Sequence, residues 1–254
     1  NPEQIAIIKK DFNSITAEND MKPQPTEPAY GQFNWENADK IANFCRSNGI
    51  KLRGHCLMWH AQIGKWMYQD EKGNLVSKEK LFQNMKHHIT AIMERYKDVV
   101  YAWDVVNEAI SDGGRPVMGQ KPSPYRNSPL YQIAGDEFIK KAFIYAREAD
   151  PNVLLFYNDY NAADPQKRDR IYNMVKSMKE EGVPIDGIGM QGHYNIYGPS
   201  MEDVDAALTK YSTIVKHIHI TELDIRANAE MGGHLNFSRE AGDISQTVKL
   251  LQED

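Results

Sequence analysis

The sequence is poor in the features that would commit it to most other protein classes. It carries two cysteines, Cys45 and Cys56, too few for a disulfide framework, and no zinc-ligand spacing occurs. Cys45 falls in an amphipathic helical pattern and Cys56 in a strand, so both read as buried free thiols. No apolar run nears the roughly 20 residues of a membrane span. There is no GxGxxG and no P-loop lysine motif, which weakens any nucleotide-binding reading. Basic residues are not in excess: the net charge is −5 and the pI about 5.9, against electrostatic capture of nucleic acid or an anionic membrane. The opening NPEQIAIIKKDF has neither the basic region nor the apolar core of a signal peptide, so any export signal has been removed or was never present.

What is present is a regular alternation of helical and strand signals over 254 residues, 41% apolar and 10% aromatic, enough for one sizeable core. Helical spacing runs over 3–12 through Ile5, Ile8 and Phe12, followed by a short β-branched stretch, 13–19, and a proline-rich loop with Pro23, Pro25 and Pro28. A helix over about 35–47, burying Ala38, Ile41, Phe44 and Cys45, stops at Asn48-Gly49. A strand over 50–59 precedes a helix over 77–97 with Phe82, Met85, Ile89, Ile92, Met93 and Tyr96 on one stripe. Tyr101–Ala109, YAWDVVNEA, is the next strand, and Ser128-Pro129 caps a helix running to about Asp150. Strands follow at 153–161, 187–195 and 217–225, with helices from Asp164-Pro165, over 201–214 behind a Ser200/Asp203 capping box, and over 238–252.

Alternating units of this kind build a parallel sheet covered by helices. Every strand also ends on polar or titratable groups: Glu18 and Asn19, Trp59 and His60, Asn107 and Glu108, Asn158 and Asp159, Gln191 and His193, Glu222 and Asp224. A doubly wound sheet gathers its ligand groups at one switch point. Groups on every strand end suit a (β/α)8 TIM barrel, whose site is assembled from all of them. Six strands and seven helices are found, so the expected barrel lacks its first and eighth strands.

Two of those strands end on glutamate, YAWDVVNEA at Glu108 and HIHITELDI at Glu222. A pair of carboxylates facing one bond is what glycoside cleavage needs: one acid protonates the leaving oxygen, and in retaining enzymes the other carboxylate attacks the anomeric carbon. Asn107 offers an uncharged hydrogen-bonding group suited to a sugar 2-hydroxyl. Gln191 and His193, two apart on one strand, share a face and can reach the carboxylates; Asp224 shares a face with Glu222 and can orient His193. Of the tryptophans, Trp35 and Trp103 read as core, Trp66 is left open between core and site, and Trp59 is assigned to the site as a ring for a pyranose face.

In order and spacing, TAENDMK (16–22), KLRGHCLMWH (51–60), WDVVNEA (103–109), NDYN (158–161), QGH (191–193) and ITELD (220–224) resemble the family 10 glycoside hydrolases, chiefly endo-β-1,4-xylanases, from Asn1 to roughly Arg226. The resemblance implies a retaining (β/α)8 enzyme with its acid/base and nucleophile on the fourth and seventh strands, Glu108 and Glu222 respectively. It implies that Asn107 meets the sugar 2-hydroxyl and that His193 partners the nucleophile. It places Glu18, Asn19 and Lys22 on the sugars upstream of the cut, His55, Trp59 and Gln62 at the cut, and Tyr160 downstream. The chain departs from the family at Pro23, where tryptophan is usual, in the missing first strand, and in the missing eighth strand with its tryptophan and the aromatic of the loop after it.

The expectation is therefore one glycoside hydrolase catalytic domain over 1–254, hydrolysing β-1,4-xylosidic bonds within xylan with no cofactor and no metal. Its partners would be xylan and xylo-oligosaccharides, with no nucleic acid and no membrane span, and the chain a monomer. Because xylan cannot cross a membrane, the expected location is secreted, cell-surface or periplasmic. The rivals are another β-1,4-glycanase of the same clan, a glucanase or mannanase, and a catalytically impaired xylan-binding fragment.

Overall fold

Apolar residues recurring every three to four positions fold the helices onto a sheet whose central strands are buried on both faces. The computed structural model describes residues 2–113 and 123–227. Its strands are β1 (Ser14–Thr16), β2 (Lys51–Trp59), β3 (Val100–Asn107), β4 (Leu154–Asp159), β5 (Gly187–Met190), β6 (His193–Asn195), β7 (His217–Ile220) and β8 (Asp224–Arg226). Its helices are α1 (Pro2–Asp11), α2 (Pro23–Thr26), α3 (Glu36–Asn48), α4 (Lys78–Tyr96), α5 (Pro129–Ala134), α6 (Glu137–Ala149), α7 (Pro165–Glu180) and α8 (Met201–Ser212). The helix predicted over 238–252 lies outside the described residues.

Six strands form one parallel sheet in the order β1-β2-β3-β4-β5-β7, each beside the next. The sheet is curled. Arg53 of β2 reaches His219 of β7 at 3.5 Å although three strands lie between them, and Phe156 of β4 packs on His219 at 4.3 Å between ring centres. A flat sheet would hold β2 and β7 well over 10 Å apart at about 4.8 Å per strand. The described residues are thus consecutive strands of a barrel, as expected, with the helices outside.

Helix ends are set by local chemistry. Ser77, Ser128, Asp164 and Ser200 each accept a backbone N–H of the first turn, satisfying donors that have no partner inside the helix. In α7, Ile171, Met174, Val175 and Met178 are all buried as their spacing requires, each burial contributing roughly 1.5–3 kcal/mol. In α4 the predicted stripe is buried except Phe82, which sits at its edge under Lys78 and Lys141. In α3, Ala42 replaces Ile41 and Phe44 at the centre of the buried face. Cys45 and Cys56 are buried and free. Trp103 is core, and Trp35 and Trp66 are partly buried against it.

Five expectations are corrected. The helix expected over 128–150 is two helices, because Gly135 takes a left-handed φ of +60° that ends α5. The proline-rich loop contains the short helix α2 with Pro23 in its first turn. Helix α1 buries none of its residues. The strand over 187–195 breaks at Gly192, whose φ of +81° turns the backbone out of the extended range, leaving β5 and β6. The strand over 217–225 breaks at Thr221–Leu223, so that β6 and β8 pair with each other as a separate parallel couple.

Candidate active site

The two breaks create the site. Beyond Met190 and Ile220 the chain leaves the main ladder but keeps pairing through backbone bonds, Thr221 N to Met190 O at 2.9 Å and Glu222 N to Gln191 O at 2.8 Å. Glu222 is thereby fixed beside the end of β5. Glu108 is held by its own N–H donating to Asn158 O at 2.9 Å. It has a left-handed φ of +57°, a conformation costing a non-glycine residue on the order of 1 kcal/mol. The two glutamates follow the third and the sixth strands of the sheet, three strands apart, as residues on the fourth and seventh would be.

A continuous amide chain joins them. Glu108 Oε1 accepts from Gln191 Nε2 (2.9 Å) and from Asn107 Nδ2 (3.2 Å), and Glu108 Oε2 accepts from Trp59 Nε1 (2.9 Å). Asn107 Oδ1 accepts from Gln191 (3.2 Å) and from Asn158 Nδ2 (3.0 Å), and the same Asn158 amide donates to Glu222 Oε1 at 3.0 Å. His193 Nε2 lies 3.1 Å from Glu222 Oε2 while its Nδ1 lies 2.9 Å from Asp224. The contacts expected of Gln191, His193 and Asp224 are therefore present. Their geometric reason differs, since neither pair shares one strand face: the Gly192 turn and the β6–β8 pairing bring them together.

The surroundings of the two carboxylates are unlike. Burial pushes the Glu222 carboxyl up, but the His193 hydrogen bond, the nearby His55 and the Asn158 amide together bring it below the ordinary glutamate range. Reciprocally, the Glu222 bond holds His193 above the usual imidazole range, with Asp224 assisting. All of Glu108's side-chain donors are neutral groups. Below the site lies Asp104, fully buried and bound through both oxygens by Arg53, with His55 Nδ1 at 2.8 Å. Burial would raise the Asp104 carboxyl; Arg53 and His55 outweigh it and keep it ionised below the usual range. His55 thus enters the site through Asp104 and through its field on Glu222.

The other expected residues fall into two groups. Lys22, 8% exposed, donates to Asn19 Oδ1 at 2.9 Å and stands 4.7 Å over the Trp59 ring, so that Asn19, Lys22 and Trp59 form one wall; Glu18 is exposed at the same strand end. Gln62 has a φ of +45° and its carbonyl accepts from Gln24 N at 2.8 Å, tying the loop after β2 to α2. On the far side, Tyr160 donates to Asp112, accepts from Arg126 at 2.7 Å, and carries Lys167 over its ring at 3.4 Å. Among the described residues no cluster of three or more histidine, cysteine, aspartate or glutamate side chains could hold a metal ion.

The sequence marks Asn158 as a strand-end polar residue, and the structure adds its role as the bridge between Asn107 and Glu222. Asn158 is the last residue but one of β4, in register with Asn107, and the amide it sends sideways clears Gly189, where a Cβ would stand 2.3 Å from its Oδ1. Thr221 donates to that same Oδ1 at 2.7 Å and sets which way the amide points. Arg126, which donates to the Glu108 carbonyl at 2.9 Å, carried no sequence signal because it lies in the long loop after β3.

The pattern that defines glycosyl hydrolase family 10 matches residues 1–254. A Xylanibacter ruminicola protein described as an endo-1,4-beta-xylanase/feruloyl esterase is 58% identical over 259 residues, covering 100% of this chain and 36% of that protein. Endo-1,4-beta-xylanase B of Paenibacillus barcinonensis is 45% identical over 248 residues, covering 98% of this chain and 73% of the relative. A solved structure of a psychrophilic glycoside hydrolase family 10 endo-beta-1,4-xylanase superposes with a TM-score of 0.86 at 69% identity, over 91% of this chain and 72% of the other. The chain spans only 36% of the first of these relatives, and 23% of the Thermotoga maritima endo-1,4-beta-xylanase A to which it is 44% identical.

Proposed function

This chain belongs to glycosyl hydrolase family 10, and from that premise we propose that it hydrolyses internal β-1,4-xylosidic bonds of xylan with retention of configuration. The reading is carried by one observation: two strand-end carboxylates, three strands apart on a curled sheet, share a single bridging chain of amides. Glu222, depressed and ionised, attacks the anomeric carbon and forms a glycosyl-enzyme; Glu108 protonates the departing oxygen and then takes a proton from the water that releases the sugar. Asn107 meets the sugar 2-hydroxyl, Glu18, Asn19 and Lys22 bind the sugars upstream of the cut, His55, Trp59 and Gln62 line the site at the cut, and Tyr160 lies downstream.

The substrate class rests on the relatives, which are described as endo-1,4-beta-xylanases. Xylan and xylo-oligosaccharides are the partners, and one copy suffices, because both glutamates and their supports come from one chain. No helix among the described residues is long and apolar enough to cross a membrane. Action outside the cytoplasm is part of the proposal, since the polymer cannot enter a cell.

The test is intact mass spectrometry after incubation with a 2-deoxy-2-fluoro-xylobioside bearing a good leaving group. A single adduct mapping to Glu222 is expected. An adduct only with the corresponding cellobioside would move the substrate to glucan, and no adduct with either sugar would remove the double-displacement reading.

Cleavage needs Glu222 ionised, so kcat/KM should fall on the acid side as pH drops through its depressed pKa. Replacing His193 by Ala deletes a hydrogen bond that lowers that pKa, and the acid limb should move to higher pH. A limb that stayed in place, measured on one aryl xylobioside, would remove His193 from the ionisation of Glu222.

A further inference from the structure

The segment that carries Glu108 out of the sheet is held at every residue, and the centre of that hold is a buried group outside the two-carboxylate chemistry. The Tyr157 hydroxyl accepts the backbone N–H of both Ala109 and Ile110 at 3.0 Å each, and it donates to Asp159. A phenol has one proton and room for two incoming donors, so this hydroxyl is fully used. Tyr157 and Asp159 are 0% exposed and Lys167 1%. The Lys167 ammonium stands 2.8 Å from Asp159 and 2.7 Å from Asp112.

Along the same segment, Arg126 holds the Glu108 carbonyl at 2.9 Å and Arg170 holds the Ser111 carbonyl at 2.9 Å. Five consecutive residues, from Glu108 to Asp112, are therefore pinned from β4, α7 and the loop before α5. The need is physical. Once Glu108 turns left-handed, the next two N–H groups leave the ladder inside the protein, with Ala109 7% and Ile110 0% exposed, and buried donors require acceptors. Tyr157 lies on the neighbouring strand, in register with Val106, and supplies one acceptor for both.

We infer that Tyr157, backed by Asp159 and Lys167, is a positioning residue for the acid/base: it fixes the turn that aims the Glu108 carboxyl at the leaving oxygen. The inference rests on the assignment of Glu108 as the acid. Removing the hydroxyl loosens the aim of the acid while Glu222, on the opposite strand, keeps its partners. The loss then falls on bonds that need protonation. Glycosides of an acidic phenol, which leave without help, are spared.

The readout is the ratio of kcat/KM for a dinitrophenyl xylobioside to that for unactivated xylohexaose. Because both rates come from one sample, the ratio does not depend on how much of it is folded. In Tyr157→Phe the ratio should rise about tenfold, a fraction of the 10²–10⁴ that general acid catalysis supplies. Asp159→Asn keeps the hydroxyl but weakens its anchor, and its ratio should rise at least about threefold; it decides the matter if Tyr157→Phe does not fold. In a Glu108→Ala background, Tyr157→Phe should not raise the ratio further. An unchanged ratio in Asp159→Asn and in folded Tyr157→Phe, or a further rise without Glu108, overturns the inference while Glu108→Ala alone still raises the ratio. If Glu108→Ala leaves the ratio unchanged, the acid assignment has failed and this inference with it.

Discussion

Replacing Glu222 by Ala is expected to lower kcat on xylan by at least about 10⁴-fold while leaving the fold intact. The loss is large because no other group among the described residues stands where Glu222 does, supported by Asn158 from one side and His193 from the other. The fold should survive because the side chain lies at the open strand end, about 29% exposed, and fills no part of the core. Deleting it also removes the leading cause that holds His193 above the usual imidazole range, so that histidine should titrate lower in the variant. Reducing-sugar release and circular dichroism on one preparation check the first two claims. Near-wild-type turnover by a folded variant would take the nucleophile role away from Glu222.

Replacing Glu108 by Ala should have a different signature. Unactivated xylan needs its leaving oxygen protonated, and here the loss should reach about 10²–10⁴-fold. A xylobioside of an acidic phenol needs no such help in the first step, so its glycosyl-enzyme should still form at close to the wild-type rate. The second step then lacks its base, and the intermediate should accumulate. Azide, an anion that attacks without a base, should restore turnover and yield a glycosyl azide of retained configuration. Equal losses on both substrates, with no response to azide, would place Glu108 outside the acid/base role.

Strand and helix order were legible because periodicity is local: Ile171, Met174, Val175 and Met178 declare the buried face of α7 without reference to any other element. The strand ends were legible for a similar reason, since a polar pair such as Asn107-Glu108 stopping an apolar run marks where a strand leaves the core, and a second glutamate at the end of HIHITELDI points the pair toward chemistry. Breaks were harder. Gly135 and Gly192 lie inside runs whose apolar pattern continues past them, and only their positive φ values show that one helix and one strand each become two.

By itself the sequence determined the class of the fold and which polar residues, the two glutamates among them, stand at the strand ends, because burial period and strand-end chemistry are written in adjacent positions. Tertiary structure alone decided how those residues meet. Asn158 bridges Asn107 and Glu222 across 51 and 64 positions, Arg53 crosses the sheet interior to His219 over 166, and Tyr157 holds a turn 47 positions away. Such contacts depend on sheet curl, strand register and the few backbone turns that redirect a side chain. These are properties of the whole packed sheet, and no stretch of sequence carries them.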